Sequence, residues 1–359
     1  MESLHALANF THATCAVVSR NVTSDNATVT VSSFSPLTCG LYGLHPASRP
    51  VIVIVLVCYI LLSVLGNGCL VSVIATRESM QEPGNYFLAA LAVTDMFSCL
   101  LYAPLSIHNT AQGSFTNGGL CKVQTFFGAV AVLLSHSLLM CQWVCRYTHI
   151  VCPLEYEKKL ARPRVAAAMA GCFVFAVLPP VVGVLRTGTV EVVTYQGAVH
   201  TEVSPTTVYP CLPGGAEGSL IGTFCLVMMI ISSIFATLIY RQAQQHRENL
   251  EDRSPNPAGN EVFENKLRAA KTLSIVLLMY WMTWFPSLVL YFLSKVEAMS
   301  TISVALDVFQ LVVLTNTFID ALIYGFRYAI YRQASVLMLR DMRNAVRDMI
   351  LDYIEIIME

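Results

Sequence analysis

The chain has 359 residues, of which 55% are hydrophobic and only 13% are charged. Soluble domains carry charge on about a quarter of their residues, so this composition argues against a soluble enzyme or a disordered chain and indicates that lipid surrounds much of the protein. The 22 basic and 23 acidic residues leave a net charge of −1, which argues against a nucleic-acid-binding protein, because such proteins carry a basic excess.

Seven apolar stretches are long enough to cross a bilayer as helices, which requires about 20 residues each. They cover approximately residues 50–75, 86–107, 121–150, 165–185, 219–240, 272–293 and 302–326. Lipid offers the backbone no hydrogen-bond partner, so each span must satisfy its own amides as a helix. The sequence therefore predicts an all-α membrane protein, with a seven-transmembrane helix bundle over residues 50–326.

The flanking segments and the orientation follow from charge. Lys and Arg concentrate in the odd-numbered connections and after the seventh span, which predicts that these parts are cytoplasmic and that the N-terminus is outside. Residues 1–49 are then an extracellular tail, and Asn9, Asn21 and Asn26 in it each begin an Asn-X-Thr glycosylation sequence. Residues 327–359 are predicted to form a short amphipathic helix on the cytoplasmic lipid surface, followed by an acidic C-terminal tail.

Four cysteines lie on the predicted outer side, where conditions are oxidising. Cys121 opens the third span and Cys211 lies in the long loop before the fifth. A disulfide between them would hold that loop over the mouth of the bundle. Cys15 and Cys39 in the N-terminal tail can form a second pair.

Several polar residues lie at similar depth inside the predicted spans, where charge is costly and indicates function. Asp320 follows Asn316 by one helical turn, so both face the same direction. Two interpretations stay open: an all-oxygen site for a small hard cation, or a structural network of protonated carboxyl groups. The residues concerned are Asn67, Asp95, Ser135, Asn316 and Asp320.

Short motifs in the spans make a more specific argument. Cys121 precedes Arg146 by 25 residues, which is the spacing between the outer disulfide and the Asp-Arg-Tyr motif in one receptor family. The chain resembles the rhodopsin-like (class A) G-protein-coupled receptors over residues 50–345. The other matching motifs are Gly66-Asn67, Leu91-Ala92-Val93-Thr94-Asp95, Cys145-Arg146-Tyr147, Thr283-Trp284-Phe285-Pro286 and Asp320-Ala321-Leu322-Ile323-Tyr324.

The resemblance implies a non-enzymatic receptor of the plasma membrane whose partners are an extracellular small molecule, heterotrimeric G proteins and membrane lipid. It implies no cofactor except a possible allosteric sodium ion. The ligand pocket would be largely apolar, which predicts a small, uncharged or lipophilic ligand. The implied pocket residues are Gly128, Ala129, Val132, Trp284, Ser287, Leu288, Tyr291, Gln310 and Leu314.

Placement within the family is less specific. Gly128 stands where receptors for biogenic amines carry an aspartate. Met80-Gln81-Glu82-Pro83 is similar to odorant receptors, whereas the segment 266–272 is similar to amine and adenosine receptors.

Activation in this family would move the sixth helix, which Pro286 is expected to kink near Trp284. The opened cytoplasmic cleft would expose Arg146 to the G protein, with Tyr240 and Tyr324 as its partners in the open state.

The motif around the arginine departs from the family. Cys145 replaces the acid that would pair with Arg146, and Lys266 stands where the sixth helix often carries a second acid. We therefore expect ligand-free signalling, unless packing around Trp143 and Tyr147 keeps the bundle closed. Alternative functions are a decoy or constitutively active receptor and, with less support, a seven-span ion-coupled transporter.

Overall fold

The computed structural model describes residues 14–18, 48–112, 118–186, 191–195, 215–251, 257–296, 300–327 and 329–358. Apart from a 3-10 turn at Glu78–Met80 and the strands β1 (Thr14–Val18) and β2 (Glu191–Tyr195), the elements of this part of the chain are helices. These are α1 (Arg49–Thr76), α2 (Pro83–Gln112), α3 (Gly118–Val151), α4 (Pro153–Lys159), α5 (Arg162–Arg186), α6 (Gly215–Glu251), α7 (Pro257–Val296), α8 (Ser300–Leu314), α9 (Asn316–Arg327) and α10 (Ala329–Met358).

Seven helical segments are long and apolar enough to cross a membrane, which confirms the predicted fold class. They are α1, α2, α3, α5, α6, α7 and, for the seventh span, α8 continuing into α9. Large apolar side chains point away from the bundle on these helices; Val51 and Ile54 of α1 and Phe173 of α5 are each more than half exposed. In water such a surface would be costly, whereas in a bilayer it contacts lipid.

The third span, α3, packs against α2 and α5 and also against α6 and α7 across the bundle. Trp143 of α3 is fully buried and packs in one cluster with Leu273 and Tyr280 of α7 and Tyr324 of α9. Because α3 contributes to the core at several depths, side chains along it can contact both the cavity and the cytoplasmic end described below.

The seventh span is interrupted at Thr315, which lies between α8 and α9. The Thr315 hydroxyl donates a hydrogen bond of 2.6 Å to the carbonyl of Val312, and such side-chain bonds compete with the regular backbone ladder. We expected one continuous helix here. The interruption lies upstream of Ala321, which occupies the position of the family's proline.

Two features outside the spans differ from expectation. β1 of the N-terminal tail pairs antiparallel with β2 of the connection between α5 and α6, with Thr14 opposite Tyr195 and Val18 opposite Glu191; the sequence analysis predicted no strand. The helix after the seventh span is present as α10, and it continues to Met358 through the residues that we predicted as an acidic tail.

Several predicted sites lie outside the described residues. These are the glycosylation positions Asn9, Asn21 and Asn26, together with Cys39 and Cys211. The side chains of Cys15, Cys121 and Lys266 also fall outside the description, although their backbones lie in β1, α3 and α7.

Candidate functional site

A cavity of about 300 Å³ lies within the bundle, between α2, α3, α6, α7, α8 and α9. Its lining is predominantly apolar. All nine predicted pocket residues line it: Gly128, Ala129, Val132, Trp284, Ser287, Leu288, Tyr291, Gln310 and Leu314. The structure therefore brings together, from three spans, the set that the family resemblance implied.

The cavity also has polar groups that the sequence analysis missed. The Gln310 side-chain amide donates a hydrogen bond to the Tyr102 hydroxyl, and the Gln124 amide donates to the Ser106 hydroxyl at 3.0 Å. Ser98 and Tyr102 lie one helical turn apart on α2 and both line the cavity. Two polar residues one turn apart on a span otherwise rich in apolar residues were the sequence signal that could have placed this face of α2 at the cavity.

Glycines make the cavity wide. A Cβ on Gly128 would lie 3.6 Å from the Tyr102 ring, and a Cβ on Gly222 would lie 3.4 Å from Leu288. Larger side chains at Gly128 would therefore occupy space that the cavity now has.

A cluster of aromatic rings lies beside the cavity. His136 is buried, and its ring lies edge-to-face with Trp284 and Tyr280 at centroid distances of 4.9 and 5.4 Å. His136 Nδ1 lies 2.8 Å from the Val132 carbonyl, so Nδ1 carries the proton and Nε2 faces the protein interior as an acceptor. Neither His136 Nε2 nor Trp284 Nε1 has a hydrogen-bond partner among the described residues. The sequence analysis assigned His136 no role, because helical spacing alone does not show which rings on other spans it meets.

The five polar residues predicted at membrane depth are all buried. Ser135 donates to Asp95 Oδ1 at 3.4 Å, and Asn316 donates to the Thr283 hydroxyl at 2.8 Å. Asn67 donates to the Thr317 carbonyl at 2.6 Å. Asp95, Ser135 and Asn316 line the floor of the same cavity, so the polar cluster and the apolar pocket are continuous.

The cluster contains more acceptors than the surrounding protein satisfies. Asp320 lies close enough to Asp95 for their carboxylates to repel each other if both are ionised. Ser63, which the sequence analysis did not single out, joins the cluster by donating to the Thr317 carbonyl at 2.9 Å. Five buried side-chain oxygens have no hydrogen-bond partner among the described residues: Asn67 Oδ1, Asp95 Oδ2, Asn316 Oδ1, Asp320 Oδ1 and Asp320 Oδ2.

The cytoplasmic end of α3 shows a partner for Arg146 that we did not predict. Arg146 Nη2 donates to Asn85 Oδ1 at 3.2 Å, and Arg146 Nη1 lies 3.9 Å from Glu82 Oε2. The sequence analysis considered only Cys145 and Lys266 as positions for an anionic partner. Glu82 gave no signal, because it lies far from Arg146 along the chain and on another span.

The other predicted switch residues take different positions. Tyr147 packs edge-to-face on Phe235 at 5.3 Å. Tyr240 is 63% exposed and accepts a hydrogen bond from Gln244 at 3.0 Å. Tyr324 is buried, and its hydroxyl lies 3.5 Å from Gln142 Oε1. These positions suit a bundle in which the arginine lies against α2 rather than in an open cleft.

Cys145 and Tyr156 complete this region. Cys145 is buried in an apolar cluster with Phe87, Leu138 and Val165, so a carboxylate at this position would be costly to desolvate. Tyr156 of α4 stacks on His149 at 4.2 Å. Burial and then the nearby Glu82 carboxylate raise the pKa of Tyr156 to about 12, which keeps its hydroxyl protonated.

Comparison with known proteins agrees with this architecture. The sequence model of the family described as "7 transmembrane receptor (rhodopsin family)" matches residues 66–324. Trace amine-associated receptor 13c of Danio rerio is 24% identical over 300 residues, which are 80% of this chain and 85% of that receptor. Neuropeptide Y receptor type 2 of Homo sapiens is 26% identical over 294 residues (77% and 72%). Trace amine-associated receptor 5 of Homo sapiens is 27% identical over 289 residues (76% and 80%).

Proposed function

The chain belongs to the rhodopsin family of seven-transmembrane receptors, and on that basis we propose that it transmits the binding of a small, uncharged ligand in its cavity to a cytoplasmic G protein. The family is one of receptors and not of enzymes. The observation that carries the ligand class is the cavity, whose lining is apolar with neutral amide and hydroxyl groups. Such a lining binds apolar molecules and orients them with a few hydrogen bonds.

The names of two relatives refer to trace amines, and an amine ligand is the natural comparison. A protonated amine needs a carboxylate where it binds, because a buried unpaired charge is costly. In this chain Gly128 stands at the family's amine-binding position, and Asp95 at the cavity floor is the one acidic side chain in the described lining. The lining therefore favours a neutral ligand over an amine.

The transmission step would use the residues beneath the cavity. Trp284 lines the cavity and also contacts His136. From Trp284, α7 extends back through Tyr280 and Leu273 toward its cytoplasmic end, and Pro286 lies on the opposite, outer side of Trp284. A ligand that packs differently in two bundle states shifts the population between them. In the active state, Arg146 leaves α2 and becomes available to the G protein.

The cluster at the cavity floor is proposed as an allosteric sodium site. The unpartnered oxygens of Asn67, Asp95, Asn316 and Asp320 are hard ligands of the kind that such cations prefer. Sodium there would neutralise the repulsion between the two carboxylates and so favour the bundle state in which they are close together.

We further propose that the receptor lies in the plasma membrane with its glycosylated N-terminus outside and α10 on the cytoplasmic lipid surface. The basic connections support this orientation. We propose the Cys121–Cys211 disulfide from the family spacing, with Cys15–Cys39 as a possible second pair.

The test is nucleotide exchange on purified heterotrimeric G proteins, with the full receptor in lipid nanodiscs and a panel of neutral lipophilic compounds and amines. A neutral compound should stimulate exchange, and Gly128→Val should abolish the response by filling the cavity. Gly171→Val is the matched control, because Gly171 of α5 is exposed and a Cβ there meets nothing within 4 Å. Stimulation by amines alone, or equal responses in both variants, would contradict the proposed ligand class.

A further inference from the structure

We propose that Glu82, Gly84 and Asn85, at the start of α2, form the resting-state binding site for the Arg146 guanidinium and take over the role of the acid that this chain lacks at Cys145. These are positioning residues: they hold the arginine away from the G-protein cleft until the bundle opens. The inference rests on the proposed function, since it concerns how G-protein coupling is kept silent.

The contacts combine one charge-assisted hydrogen bond with one ion pair. Asn85 Oδ1 accepts from Arg146 Nη2 at 3.2 Å, and Glu82 Oε2 lies 3.9 Å from Arg146 Nη1. The Arg146 side chain is only 13% exposed. Hydrogen bonds to charged groups are stronger than neutral ones. Removal of the Asn85 acceptor would leave a largely buried guanidinium with an unpaired donor, which is costly.

The acceptor at Asn85 is held in place. Asn85 is buried, and its Nδ2 donates to the Met80 carbonyl at 2.9 Å. That bond fixes which end of the amide faces Arg146, so the oxygen is aimed at the guanidinium before the arginine arrives.

Gly84 provides the surface on which the guanidinium lies. A Cβ on Gly84 would be 3.4 Å from Arg146 Cζ, 3.5 Å from Nη2 and 3.6 Å from Nε. These similar distances show that the planar group packs against the backbone of α2. A methyl group would just fit, whereas a larger side chain would displace the arginine.

The local sequence builds this site in one turn. Pro83 begins α2, and the Glu82 carbonyl accepts the amide hydrogens of Asn85 and Tyr86 at 2.9 and 3.1 Å. A proline suits the first helical position because its missing amide hydrogen would be unpaired there in any case. Glu82, Gly84 and Asn85 are thereby held together at the helix start, facing the end of α3.

The environment of Cys145 explains why the acid is not in its usual place. Cys145 is 2% exposed and packs with Phe87, Leu138 and Val165, where an ionised carboxylate would have to leave water. Glu82, by contrast, keeps 47% of its side chain exposed. The negative charge is therefore supplied from a position where it stays hydrated.

The experiment compares ligand-free nucleotide exchange, at matched receptor concentration in nanodiscs, for the natural protein and two variants. Asn85→Ala removes the buried acceptor, and Glu82→Gln removes the charge from a half-exposed position where folding is little affected. Each should raise ligand-free exchange, by about tenfold for Asn85→Ala and about threefold for Glu82→Gln, given the usual strengths of such contacts. The double variant that combines Glu82→Gln with Asn85→Asp should return exchange toward the natural rate, because it again places a carboxylate beside Arg146.

One control and one comparison sharpen the result. Glu78→Gln removes an exposed acid from the preceding turn and should leave exchange unchanged. Cys145→Asp in the natural protein should not lower ligand-free exchange, because Arg146 already has an acid partner. A decrease would show that Arg146 is unrestrained and would overturn the inference.

A second measurement separates failure of this site from failure of the proposed coupling. Hydrogen exchange of backbone amides at residues 267–275, near the cytoplasmic end of the sixth span, should be faster in Asn85→Ala and Glu82→Gln than in the natural protein. If it is faster but no heterotrimer responds, the Arg146 site stands and the coupling proposal fails. If neither amide exchange nor nucleotide exchange changes in the two variants, the inference is wrong.

Discussion

Replacing Asp95 with asparagine tests what satisfies the polar cluster at the cavity floor. Each buried polar atom without a partner costs about 1–3 kcal/mol. Five such oxygens lie in this cluster, so together they would cost about 5–15 kcal/mol, which equals the whole stability of a typical domain. A cation, shared protons or bound water must therefore complete the cluster, and a cation is distinguished from the other two by its response to salt.

Linkage sets the size of the effect. A cation at ten times its dissociation constant stabilises the state that binds it by about 1.4 kcal/mol, a tenfold change in population. If that state is the inactive bundle, sodium should lower agonist affinity by up to the same factor, because the coupling between two sites is reciprocal. Asp95→Asn removes one charge and one ligand oxygen, so both effects should disappear.

The assay measures melting temperature and agonist affinity of the purified receptor in sodium chloride and in equimolar choline chloride. Choline controls for ionic strength, and Ser98→Ala controls for loss of a polar group from the same cavity. The natural protein and Ser98→Ala should respond to sodium, whereas Asp95→Asn should not. Equal responses to the two salts in the natural protein would refute the cation and leave a network completed by protonated carboxyl groups or bound water.

Three further predictions concern other parts of the molecule. Gly128→Asp should create responses to amines, detected by nucleotide exchange, because it places a carboxylate beside Tyr102; loss of neutral-ligand responses without any amine response would count against the pocket assignment. Cys121→Ala or Cys211→Ala should reduce surface expression, since closing this loop contributes about 3–5 kcal/mol; normal expression of both would argue against the pairing. The Tyr156 pKa of about 12 exceeds its ordinary value of about 10, so the unfolded chain loses this proton first and stability falls between about pH 10 and pH 12. Tyr156→Phe should reduce that fall in an alkaline unfolding series, and an identical curve would contradict it.

The seven spans and the pocket could be predicted from the sequence for a definite physical reason. Lipid requires helices of a minimum length, so apolar stretches alone locate the spans. The pocket residues came from the family resemblance: the matching motifs fix the register of each span, and this placed Gly128 and Tyr291, on different spans, in one cavity.

The features that could not be predicted depend on contacts between distant segments. Asn85 and Arg146 are 61 residues apart, and nothing in either local motif shows that the two helix ends meet. His136 gave no signal, because its role depends on Trp284 and Tyr280 of another span. The pairing of β1 with β2 has the same origin, since the two strands lie in separate polar segments.

The interruption of the seventh span has a mechanical consequence. A proline lacks the amide hydrogen, so a break made by proline is permanent. Thr315 keeps its amide, which bonds the Val312 carbonyl at 3.1 Å, while its hydroxyl bonds the same carbonyl at 2.6 Å. A regular helix would form here if the Val312 carbonyl accepted the Asn316 amide in place of these two donors, and no proline between residues 312 and 316 prevents it. The break in the seventh span, between the half with Gln310 and the half with Asp320, is thus one that the backbone can reverse.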